Sequence, residues 1–85
     1  MVQRKIYTDK YKVEDKMKEL LDRFNNTNII EFRTIIKESE SKLETVVTFL
    51  ALLELIKLRV IIAYQEGNFK EILMKRRVEH EQYRD

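Results

Sequence analysis

The sequence has no cysteine and no proline, and it contains a single glycine and a single histidine. Without cysteine, the chain has no disulfides and no thiolate metal sites. One glycine is too few for the usual glycine-rich phosphate loop. The one histidine, His80, lies in a charged tail, which leaves no Ser/His/Asp set to assemble. The scarcity of turn-forming residues predicts mostly helical structure. We therefore expect neither enzyme activity nor a bound cofactor or metal.

Charge is nearly balanced, with 17 basic and 15 acidic residues and a net charge of +2. This balance gives no strong electrostatic case for binding nucleic acid. At 85 residues, 44% hydrophobic and 38% charged, the chain is typical of one globular domain or part of one. The longest apolar run is too short to span a bilayer, and the N-terminus has no signal-peptide pattern. We expect a cytoplasmic protein without membrane contact.

The segment 41–58, SKLETVVTFLALLELIKL, predicts a long helix. It starts with a capping box, in which Ser41 and Glu44 can each satisfy a backbone N–H group. Nine of the eleven residues from Val46 to Ile56 are apolar. The helix therefore has more apolar surface than a single packed face requires.

Two apolar stripes are predicted on this helix. The first is expected to pack on the core and comprises Leu43, Val46, Val47, Leu50 and Leu53. The second is expected to bind a partner protein, since large exposed apolar patches mark interaction sites. It comprises Phe49, Leu52, Leu55 and Ile56. The alternative is that the N-terminal arm and the wing cover the second stripe within the chain.

The remaining patterns predict an α+β winged helix, with three helices and a small antiparallel sheet that includes a β-hairpin wing. The other predicted elements are helices over 13–24 and 32–38 and strands over 29–31, 60–65 and 69–75. Gly67, between the last two strands, is expected to have a positive φ. We divide the chain into a leader or extended arm (1–12), the winged-helix domain (13–75) and a charged tail (76–85).

Winged helices often place their third helix in the major groove of DNA, so DNA binding is the alternative function. Such a helix needs Arg, Lys, Asn or Gln side chains to reach base edges. Here Lys42 stands at the start of the helix and Lys57 at its end, with no amide or basic side chain between them. The run Lys75–Arg77 could contact phosphates, but it is interpreted as solvated charge. A protein partner fits this helix better.

The segment Thr45–Leu58, followed by Gln65 and by Phe69-x-x-Ile72, closely resembles the C-terminal winged-helix domain of segregation and condensation protein A (ScpA). This is the bacterial and archaeal kleisin family. The resemblance covers roughly residues 10–75 and rests on a long, specific match.

The resemblance implies a non-catalytic protein that helps to bridge the two ATPase heads of an SMC dimer. The C-terminal domain would bind the cap side of one head and help to close the SMC–kleisin ring for chromosome condensation and segregation. ScpB would bind regions absent from this sequence, which we expect to be a fragment. DNA would be contacted only through the complex, at the nucleoid. The sequence departs from the family at Arg59-Val60, where many relatives carry a glycine or another turn residue, and at Lys70, where a small residue is usual.

Overall fold

The computed structural model describes residues 11–68 and 70–78. Three helices and three strands follow one another along this part of the chain, and they agree with the predicted order. They are α1 Val13–Asn26, β1 Ile29–Glu31, α2 Phe32–Lys37, α3 Lys42–Lys57, β2 Ile61–Gln65 and β3 Ile72–Arg76. The predicted α+β winged-helix fold is confirmed. His80, most of the predicted leader and most of the tail lie outside the described residues.

The three strands form one antiparallel sheet in the order β1-β3-β2. Met74 on the central strand is opposite Ile30 of β1 and Ala63 of β2. Side chains alternate between the two faces of a strand, so Met74 and Ile30 turn towards the helices together, with exposures of 1% and 5%. The short strand and the hairpin thus combine into the predicted sheet.

The core lies between this sheet and the helices. Helix α1 contributes Leu20 and Phe24, four residues apart on one side of the helix, and α2 contributes Ile35. Val13 and Met17 continue the same side of α1 and pack against the core cluster. The opposite side of α1 is charged and exposed. The amphipathic pattern of the sequence therefore predicted correctly which side of α1 faces the core.

The wing differs from its prediction. Gln65 pairs with Ile72, so a connection over 66–71 replaces the expected short turn, and the returning strand starts at Ile72 rather than at residue 69. The Gln65 side-chain amide donates to the carbonyl oxygen of Lys70 at 2.6 Å and braces this connection. The positive φ expected at Gly67 is wrong, since no glycine has one. A longer connection can reverse the chain without the tight turn that demands a positive φ.

A positive φ occurs instead just after α3, where Arg59 has φ 65°. The N–H of Arg59 donates to the carbonyl oxygen of Ile56 at 3.0 Å, and the N–H of Val60 donates to that of Leu55 at 2.9 Å. These two bonds form a Schellman motif, in which the left-handed position usually holds glycine. Arg59 therefore occupies a position where glycine would be favoured.

Candidate partner-binding face

Helix α3 runs across the core with one side fully covered. Its buried residues, with exposures between 0% and 7%, are Val47, Thr48, Ala51, Leu52 and Leu55. Ala51 is the most deeply buried of them, at 0%. The spacing between packed helices depends on the side chains at the contact, and a small residue in the middle of this side permits the close approach of α1.

The opposite side of α3 is apolar and exposed. We call it the outer face and define it by four residues that share this side of the helix. They are Val46 (53% exposed), Phe49 (44%), Leu50 (47%) and Leu53 (46%). Lys42, four residues before Val46, and Lys57, four residues after Leu53, lie at its two ends. Helix α3 is thus apolar on two sides, of which the described part of the fold covers one. Most of the N-terminal arm, which was the alternative cover, lies outside the described residues.

The assignment of the two sides is wrong for most of the predicted partner-binding residues. Leu52 and Leu55 are 2% and 1% exposed and belong to the core cluster, so neither can contact a partner in the folded domain. Ile56 is half-buried and packs against that cluster. Phe49 alone lies on the outer face, and its partner contact stays a prediction.

The stripe assigned to the core is correspondingly exposed. Val46, Leu50 and Leu53 lie on the outer face, while only Val47 of that stripe is buried. Because both stripes are apolar, the hydrophobic pattern carries no information about which one turns inward. The small side chain of Ala51 was the available signal, since it marks the line along which another element can approach most closely.

Two features shape the edges of the outer face. The rings of Phe49 and Phe32 meet edge to face, with centroids 6.1 Å apart and an interplanar angle of 73°, an arrangement that favours a fixed ring position. On the other side, a groove of about 600 Å³ runs between the start of α1 and α3. Tyr11, Val13 and Leu43 line the groove beside Val46 and Leu50, which extends the apolar surface past the helix.

Polar groups hold the first turn of α3. The Ser41 hydroxyl accepts from the N–H of Glu44 at 3.1 Å, as the capping box predicts. The Glu44 carboxylate reaches back to accept from the N–H of Glu40 at 2.8 Å, one residue earlier than expected. Its other oxygen contacts Nζ of Lys16 on α1 at 2.9 Å. The cap therefore also connects α3 to α1.

This ion pair perturbs both partners. The hydrogen bond from the Glu40 backbone, with the Lys16 ammonium, lowers the pKa of the Glu44 carboxyl below its usual value. Burial lowers the pKa of Lys16, but its hydrogen bonds to Glu44 and Glu19 outweigh that effect, so the pKa is raised overall. Both groups are therefore charged at neutral pH and hold α1 against the start of α3.

The described residues include neither a metal site nor a membrane-spanning helix. Within residues 11–68 and 70–78, no group of His, Asp and Glu is placed to hold a metal ion. No helix in this part of the chain has the length and apolarity needed to cross a membrane. The outer face offers apolar contact, with a lysine at each end and no Arg, Lys, Asn or Gln between them to read a base edge.

Three helices and a three-stranded antiparallel sheet define a winged-helix domain. Its third helix has an exposed apolar side in the described part of the chain. The family model described as "Segregation and condensation protein ScpA" matches residues 2–76. The chain belongs to this family, and the resemblance predicted from its sequence is confirmed.

Individual relatives agree with this assignment. The chain is 48% identical over 77 residues to segregation and condensation protein A of Clostridium botulinum, covering 91% of the chain. It is 51% identical over 72 residues, or 85% of the chain, to the protein of that name from Clostridium acetobutylicum. For Thermoanaerobacter sp. the identity is 43% over 70 residues, or 82% of the chain. The chain spans only 29% to 31% of the length of these relatives.

Proposed function

We propose that this domain binds the ATPase head of an SMC protein through the outer face of α3. In the full-length protein this contact would help to close an SMC–kleisin ring for chromosome condensation and segregation. The observation that carries the proposal is the outer face itself, four half-exposed apolar side chains in a chain of the ScpA family. The domain acts by association and not by catalysis. ScpB and DNA would be reached through other parts of the complex.

The outer face is too small to account for stable binding by itself, as a comparison of free energies shows. Burying the exposed half of a Val, Leu or Phe side chain contributes about 1 kcal/mol, so the four residues supply about 4 kcal/mol. Association itself costs about 4–15 kcal/mol. The outer face alone therefore cannot give tight binding. The adjoining groove beside Tyr11, Val13 and Leu43 offers more apolar area of the same kind, and we include it in the proposed interface.

The same face argues against sequence-specific DNA binding by α3. Between Lys42 and Lys57 the helix carries no Arg, Asn or Gln, and the apolar residues in between can contact only the thymine methyl group. A head domain with an apolar cleft rimmed by acidic groups would match both the apolar centre and the terminal lysines.

Binding of a purified cognate SMC head, measured by calorimetry, tests the proposal with two matched variants. Leu53→Arg places a charge in the centre of the outer face, and burying it unpaired costs several kcal/mol. We expect affinity to fall by at least about a hundredfold. Ile72→Arg places the same charge at a residue of β3 with a similar exposure of 41%, and we expect no more than a small change.

The proposal fails if Leu53→Arg binds the head as tightly as the wild type while its circular dichroism spectrum is unchanged. It also fails if both variants weaken binding equally. Titration with duplex DNA at two salt concentrations addresses the alternative function, for which tight binding with a steep salt dependence is expected. Sedimentation over a range of concentrations detects self-association through the same face.

A further inference from the structure

A second surface, away from the outer face, has the form of a binding site. A cleft of about 610 Å³ opens between the end of α1, the start of β1 and the last residues of β3. One wall carries Lys75, Arg76 and Arg77 in succession, and the other carries the amides Asn25 and Asn28. We call it the basic cleft. Among the described residues its lining includes three basic residues and no carboxylate, although Nζ of Lys75 lies 5.9 Å from the ring centroid of Tyr64 on β2. The charge that fits this lining is negative.

Arg76 and Arg77 differ in the hydrogen bonds that their guanidinium groups make. The Arg76 guanidinium donates to Oδ1 of Asn25 across the cleft, which fixes its position. Nε of Arg77 is buried, and it has no hydrogen-bond partner in the described part of the chain. A buried donor without an acceptor is costly, so native structures rarely leave one unpaired. Arg77 is therefore the cationic side chain of the cleft whose hydrogen bonding is incomplete in the described part of the chain.

The backbone at the basic cleft favours an extended ligand. The N–H of Arg77 donates to the carbonyl oxygen of Val60 at 2.9 Å, so the backbone of Arg77 faces β2. Successive residues of an antiparallel strand face opposite neighbours, and the backbone groups of Arg76 and Val78 therefore face the other side. The pairing of β1 with β3 ends at Ile29, which is opposite Lys75. Beyond that pair, a segment could continue the ladder along β3.

Apolar side chains complete the lining. Ile29 and Val78 are 48% and 41% exposed, and Phe24 lies behind them. A DNA backbone presents charged phosphates on a convex surface and offers no apolar groups to contact these side chains. An extended peptide presents both kinds of side chain alternately. The combination therefore favours protein over nucleic acid.

We propose that the basic cleft binds an extended acidic segment of a partner protein. Its carboxylates pair with Arg77 and its neighbours, its apolar side chains contact Ile29 and Val78, and its backbone lies along the end of β3. Arginine suits this role because its planar guanidinium can bind a carboxylate through two parallel hydrogen bonds. The cleft shares no residue with the outer face, so the proposal is independent of binding to an SMC head.

Fluorescence anisotropy with a labelled decapeptide that alternates Glu with Val tests this proposal on the intact chain. The matched control peptide has Gln in place of each Glu. We expect the acidic peptide to bind and the control to bind at least about tenfold more weakly. Arg77→Gln is expected to weaken binding of the acidic peptide by a similar factor. Arg59→Gln, which removes the same charge from an exposed position outside the cleft, is expected to leave it unchanged.

A second variant guards against misfolding of Arg77→Gln. Val78→Glu adds a carboxylate at a half-exposed residue of the cleft and is expected to abolish binding while circular dichroism stays native. Equal binding of the two peptides, or no binding of either, would overturn the proposal. So would native-like Arg77→Gln with unchanged affinity, or tighter binding of a short DNA duplex that both variants weaken.

Discussion

Replacing Leu52 and Leu53 separately with alanine tests the orientation of α3, because these adjacent residues of one type differ in burial, the first in the core and the second on the outer face. Leu52 is 2% exposed and packs in the core cluster. Leu→Ala at a buried site removes transfer free energy and leaves a cavity, at a cost of about 3 kcal/mol or more. Leu53 is 46% exposed, so its truncation leaves no enclosed cavity and is expected to cost less than about 1 kcal/mol.

The cost of Leu52→Ala is large relative to the free energy of unfolding of a small domain. A domain of this length has a free energy of unfolding of about 4–13 kcal/mol, so Leu52→Ala removes a substantial part of it. In urea denaturation followed by circular dichroism, with a slope of roughly 1 kcal/mol/M, we expect the midpoint to fall by about 3 M. For Leu53→Ala the expected fall is less than about 1 M. Equal shifts, or a larger shift for Leu53→Ala, would refute the orientation of α3.

Two further predictions concern the ends of α3. Arg59→Gly is expected to raise stability by about 0.5–1 kcal/mol, because glycine adopts the left-handed conformation without steric cost. Arg59→Ala, which keeps that cost, should bring no gain in melting temperature; an equal gain would contradict the explanation. The depressed pKa of Glu44 stabilises the fold above the unfolded pKa, and this contribution disappears as pH falls through the folded pKa. The stability difference between wild type and Glu44→Gln should therefore shrink between neutral and acidic pH, whereas a constant difference would argue against the ion pair.

The elements with one polar side were predictable from sequence. Alternation of charged and apolar residues located α1 and its inward side, and the capping box placed the start of α3 at Ser41. The single glycine misled the prediction of the wing. Gly67 suggested a tight turn, but the wing connection uses more residues. The positive φ occurs at Arg59, which follows α3 and lies outside the wing. Conformations stabilised by several backbone hydrogen bonds together are not visible in residue type alone.

The sequence could predict that α3 has an exposed apolar face, but it could not predict which residues form that face. An excess of apolar surface on α3 correctly indicated an exposed face, since the chain is too small to cover both sides. Which side remained exposed depended on tertiary contacts. Leu52 and Leu53 are chemically identical neighbours, so their own side chains do not determine that one enters the core and the other does not. The basic cleft likewise joins residues from 24–29 and 75–78 that no local pattern connects.

The rotation of α3 is determined in part by its ends. Glu44 lies seven residues before Ala51 and eleven before Leu55, which places all three on the same side of the helix. The Lys16–Glu44 ion pair is therefore in line with the buried side, and half a turn of the helix would carry Glu44 away from α1. At the other end, the hydrogen bond from Val60 to Leu55 ties the buried side to the start of β2. In a helix whose apolar residues favour neither side, these polar contacts help to select the side that packs and leave the outer face exposed.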